Sequence, residues 1–128
     1  MQKNIKLIVV VGVLLAVVGL VFFFMNRDDG TKVVSFDGDA VITISEDTYT
    51  PQNIKIKKGA KVTFINKSGE LRWPASDLHP SHLVFPEFDP RQPVENGKSW
   101  EFKFEKEGSW GYHDHLAPYI TGIIEVVN

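Results

Sequence analysis

The chain has 128 residues with no cysteine, four histidines and a formal charge of −2. That length holds one small domain; the absent cysteine excludes disulfides and any thiolate metal ligand. No basic patch points to nucleic acid, because Lys55, Lys57, Lys58 and Lys61 read as a solvated strand end and turn.

The chain opens with an apolar run. Leu7 to Phe24 carries no charge, and Ile5 and Met25 extend it. As a helix at 1.5 Å per residue it spans about 27–30 Å, the thickness of a bilayer core. Lys3 and Lys6 precede it, so the amino end is expected in the cytoplasm and the rest outside. Its end, Phe22-Phe23-Phe24-Met25-Asn26, is too bulky for signal cleavage, which favours an uncleaved signal anchor. Residues 5–25 are therefore the expected membrane contact, and 1–29 are expected to be anchor and linker. The domain expected over 30–128 carries 11 basic and 14 acidic residues.

Beyond the linker the pattern turns to strands. Lys32 to Phe36 is a short candidate, and Ala40 to Ser45 is β-branched and bounded by Asp and Gly. Ile54 and Ile56 alternate with lysines, Lys58-Gly59 turns, and Lys61 to Asn66 forms the next strand. From Glu70 to Asn96 the regularity fails. Five prolines punctuate this stretch, yet Trp73, Phe85 and Phe88 within it argue for packing rather than disorder. His82-Leu83-Val84-Phe85 reads as a strand inside it. Alternation returns over Ser99 to Glu105, Ser109 to His115 follows, Ala117-Pro118 reads as a break, and Gly122 to Val127 closes the chain. Trp73, Trp100 and Trp110 are expected in the core. Seven or so short strands with regular turns predict an all-β Greek-key sandwich, preceded by one transmembrane helix.

All four histidines lie in this domain, as two close pairs: His79-Pro80-Ser81-His82 and His113-Asp114-His115. Imidazole is the commonest protein ligand for copper and zinc at neutral pH. Residues two apart on a strand share a face, so His113 and His115 are expected to project together, with Trp110, Tyr112 and Asp114 opposite. His79 and His82 come from the Pro-rich loop. Asp77, Glu87, Asp89 and Asp114 are available as further ligands but read better as turn formers, caps or partners orienting an imidazole.

At these residues the chain resembles the cupredoxins. The likeness runs from about Thr50 to Asn128. Thr50 to Gly59 and Val62 to Asn66 are similar to the early strands of plastocyanin-like domains. His82 to Phe85 is similar to the segment with that family's first histidine ligand, and Gly108 to His115 with Gly122 to Val126 to its last two strands. The resemblance implies a copper site, but a blue one needs a cysteine. Aligned back from Gly122, the family's second histidine falls on His115, its cysteine on Tyr112 and its axial methionine on Ile120. His113-Asp114-His115 also resembles the His-x-His of multicopper oxidases. The loop Trp73 to His82 has no plastocyanin counterpart, so His79 rests on its position alone.

The expectation is a membrane-anchored, extracytoplasmic domain holding Cu2+, with zinc or nickel as other candidates, through His79, His82, His113 and His115. A non-blue type 2 centre serving copper binding, delivery or a minor redox role follows, with a copper protein or redox protein as partner. Four filled positions favour binding over catalysis. Binding should fall below about pH 6 as imidazoles protonate. The alternatives are a metal-free interaction or structural module, and a mononuclear type 2 copper oxidoreductase.

Overall fold

A computed structural model of the chain describes residues 12–13, 15–22 and 32–128. Residues 12–13 and 15–22 are helical and exposed. No helix among the described residues is long and apolar enough to cross a membrane. The remainder of the expected anchor over 5–25, and the boundary drawn at residues 29 and 30, lie outside the described residues.

Among the described residues, nine strands form two mixed sheets. One is ordered β1 (Val33–Ser35), β4 (Asn53–Lys57), β9 (Ala117–Val127), β8 (Gly108–Asp114), β6 (Pro74–Ser76). The other is ordered β3 (Tyr49–Thr50), β2 (Ala40–Ile44), β5 (Lys61–Asn66), β7 (Ser99–Lys103). β2 runs parallel to β5, from Ala40 opposite Val62 to Ile44 opposite Asn66. β4 runs parallel to β9, and β8 antiparallel to both β9 and β6.

Side-chain alternation builds the core. Ile42 and Ile44, Ile54 and Ile56, and Val62 and Phe64 are buried on the inner faces, as the period of two in a strand requires. Tyr112, Ile124 and Val126 complete that layer. Two of the expected tryptophans, Trp100 and Trp110, are only partly buried and pack against it.

Three segments differ from the sequence reading. His82 to Phe85 is a turn, not a strand. Its backbone is committed elsewhere: His82 N–H donates to Leu78 O at 2.7 Å and Phe85 N–H to Ser76 Oγ at 2.8 Å. Phe85 and Phe88 then insert into the core, where Phe85 meets Trp110 at 4.7 Å and Phe88 meets Phe104 at 5.0 Å between ring centroids. Ala117-Pro118 does not break the chain either, because β9 starts at Ala117. The ladder register jumps there, from His113 opposite Thr121 to Asp114 opposite Ala117. Pro118 lies in the resulting bulge, where no ladder N–H is needed. Finally, β8 stops at Asp114, so His115 stands in the turn that follows.

Candidate metal centre

The Pro-rich loop folds back over β8. Asp77 N–H donates to Gly111 O at 3.1 Å, and β6 pairs Ala75 with His113. Tyr112 faces the core, so its neighbours Gly111 and His113 face the other side of the sheet, towards Asp77. A side chain at Gly111 would collide with the Asp77 carboxylate, so glycine there leaves room for that carboxylate beside β8.

His113 and His115 do converge, though not as strand neighbours on one face. The turn after Asp114 brings His115 round, and Asp114 holds that turn. Its Oδ1 accepts from Leu116 N–H at 2.8 Å and Ala117 N–H at 3.0 Å, and its Oδ2 from Trp73 N–H at 3.2 Å. Asp114 is thus a buried cap, not a ligand. His115 N–H donates to Trp73 O at 2.8 Å, tying the turn to the loop.

From the loop, His82 takes a left-handed backbone conformation, φ 55°. Such a conformation is uncommon outside glycine and concentrates at functional sites. It ends the turn from Leu78 with the imidazole aimed inward, only 4% exposed. His79, at the middle of the turn, is exposed.

The four imidazoles meet. One ligand atom from each of His79, His82, His113 and His115 lies within 4.8 Å of the others. His79 Nδ1 is 3.3 Å from His113 Nε2, and His115 Nδ1 is 3.0 Å from His82 Nε2. The two buried members are anchored from behind. His113 Nδ1–H donates to Asp77 Oδ1 at 2.9 Å, and His82 Nδ1–H to Asp89 Oδ2 at 2.7 Å. An ionised carboxylate only accepts, so both rings carry their proton on Nδ1 and turn a bare Nε2 towards the centre. Without a metal, His79 and His115 satisfy those two lone pairs as donors.

Asp89 gathers further partners. Its Oδ1 accepts from Trp73 Nε1–H and from Arg91 N–H, each at 2.8 Å. Burial alone would raise its carboxyl, but the bonds from His82, Arg91 and Trp73 hold it below the usual carboxylate range. Trp73 is therefore a wall of this site and not a core residue. Its ring lies 4.7 Å from His115 and 6.5 Å from His82. Only its place in the same loop as His79 and His82 hinted at this. Glu87 stays away, exposed and bonded to Lys106 Nζ at 3.0 Å.

Burial lowers the imidazole pKa of His113, against the pull of Asp77, and burial together with the neighbouring histidines lowers that of His115. Both are thereby kept neutral, the ligating form. The donor set fits a late first-row metal: metal–nitrogen bonds of about 2.0–2.1 Å place ligand nitrogens no more than about 4.2 Å apart, close to the spread found here.

A family model for the cupredoxin-like domain matches residues 13–126. The chain belongs to that family. No curated protein sequence matches it. Among solved structures, a purple cupredoxin from Nitrosopumilus maritimus is 26% identical with a TM-score of 0.61, over 70% of this chain and 100% of the other. A reduced amicyanin variant is 21% identical with a TM-score of 0.60, over 70% and 83%. The copper-containing nitrite reductase of Thermus scotoductus SA-01 is 21% identical with a TM-score of 0.59. The chain spans 70% of itself but only 22% of that reductase.

Two positions on which the sequence resemblance puts blue-copper ligands hold core side chains here. Tyr112, where the aligned cysteine falls, is fully buried between Tyr49, Phe64 and Phe88. Its hydroxyl donates to Gln52 O at 3.0 Å, and burial raises its pKa, so it remains a phenol facing the core. Ile120, where the aligned methionine falls, is likewise buried in the core.

Proposed function

We propose that this cupredoxin-like domain holds Cu(II) through His79 Nδ1, His82 Nε2, His113 Nε2 and His115 Nδ1, as a non-blue centre for copper binding and handling outside the cytoplasm. The convergence of these four imidazoles carries the reading. Support comes from the second atoms as much as the first: Asp77 and Asp89 fix the tautomer and direction of the two buried rings. The nitrite reductase is named for its copper, and amicyanin has been solved in a Cu(I) form. Nitrogen donors without sulfur favour Cu(II); the comparisons give zinc no support. With the described donors filling the coordination sphere, holding and passing on the ion fits better than turnover. Residues 5–25 would tether the domain to the membrane, and a copper protein or redox protein would be its partner.

The test is Cu(II) titration of the purified chain followed by electron paramagnetic resonance. The expected result is one equivalent bound, with a nitrogen-split type 2 signal that disappears in the His113→Ala/His115→Ala double variant. Binding no tighter than that of an unstructured histidine peptide would leave a metal-free module, with the two imidazole pairs as plain hydrogen bonds.

A further inference from the structure

The four histidines are not held alike. His82 and His113 are 4% and 2% exposed, and each is fixed through Nδ1 by a carboxylate. His115 is half-way: its ring lies against Trp73 and its N–H is bonded to Trp73 O. His79 is exposed, and among the described residues its ring meets only the other imidazoles: His113 at 3.3 Å between nitrogens and His115 at 4.9 Å between centroids. No described residue bonds its Nε2.

We infer that the site is divided into a holding half and a releasing half, with His79 the ligand given up when copper passes to an acceptor. This rests on the copper reading above. In the exchange one imidazole–copper bond, at His79 Nδ1, is replaced by one bond from a nitrogen or carboxylate donor of the acceptor. Oxidation state and proton count do not change, so no redox partner is required. The physical reason lies in the cost of letting go. Turning His82 away leaves the buried carboxylate of Asp89 with a broken charge-assisted hydrogen bond, and turning His113 away pulls a buried ring off its bond to the part-exposed Asp77. Turning His79 outward breaks no bond to a carboxylate and returns an already exposed residue to water. Its turn is exposed from Leu78 to Ser81, so His79 is the ligand open to an incoming donor.

The experiment loads the full chain with one equivalent of Cu(II) and follows transfer to EDTA by stopped flow, reading the tryptophan fluorescence that bound Cu(II) quenches. His79→Ala is expected to bind one equivalent more weakly and to release it faster by about tenfold or more, the scale on which even loss of a ligand's outer partner acts. His113→Ala is expected to lose one-to-one binding. His79→Gln, which keeps the bulk of the turn, should behave like His79→Ala. An unchanged release rate in both His79 variants, or loss of binding equal to that of His113→Ala, overturns the division while leaving the copper site standing. Absence of binding in the unaltered chain overturns the copper reading and the division together.

Discussion

The two faces of β8 are one residue apart in sequence and opposite in chemistry. On the inner face Tyr112 sits among Tyr49, Phe64 and Phe88, with one polar atom satisfied by Gln52 O. On the outer face His113 is almost as deeply buried, but against Asp77, His79 and His82. The inner face gains its stability from apolar area and ring packing. The outer face is built from polar groups that tolerate burial only because each finds a partner. A strand can therefore carry a fold on one side and a site on the other, and damage to the two should separate.

The largest separation is expected from Tyr112→Ala. It should cost about 3–5 kcal/mol of unfolding free energy, as removal of a buried aromatic does, measured by denaturant melts of the metal-free chain. Any domain still folded should bind Cu(II), since the four imidazoles lie on the other face. A variant that folds but has lost the site would break the comparison. Next, Asp89→Asn should weaken Cu(II) affinity by about 10–100-fold while lowering the melt by less than Tyr112→Ala does, because the amide oxygen still accepts from Trp73 and Arg91 although the bond to His82 loses its charge. Equilibrium competition with a chelator of known affinity checks it.

Acid should act on the outer face through its imidazoles. His113 and His115 have lowered pKa values, so the folded state binds their protons later than the unfolded state does. Stability from their neutral burial is complete above the ordinary imidazole pKa of about 6.5 and is lost as pH falls from there through the folded values. The same lowering keeps the ligating form available further into acid, so half-loss of copper should fall below the pH near 6 expected of ordinary imidazoles. A titration of bound Cu(II) with its midpoint above 6.5 would contradict this. The smallest effect is reserved for Tyr112→Phe, which removes only the bond to Gln52 and should cost about 1 kcal/mol with no change in copper binding.

Much of the sandwich was legible because burial imposes a period of two. Ile42 and Ile44, Ile54 and Ile56, and Val62 and Phe64 announce their faces in sequence. The short strands Tyr49–Thr50 and Pro74–Ser76 were not legible, since two or three residues carry no period. Pro118 misled for a related reason: a proline forbids a ladder bond, but only the register shows that its position lies in a bulge and needs none. His82 to Phe85 has strand-like residues, yet tertiary bonds to Leu78 and Ser76 turn it.

The site divides in the same way. Sequence alone determined the donor chemistry, because a chain with four paired histidines and no cysteine has imidazole to offer and no thiolate. It also offered Asp77, Glu87, Asp89 and Asp114 as turn formers, caps or orienting partners ahead of ligands, without assigning one role to each. Which aspartate serves which ring, the role of Trp73 as a wall, and the unequal footing of His79 were decided only by the tertiary structure. The Asp77–His113 pairing and the meeting of the imidazoles depend on a loop reaching a strand more than 30 residues away, and the Asp89–His82 pairing, seven residues apart, on how that loop folds and buries itself, which local spacing does not encode.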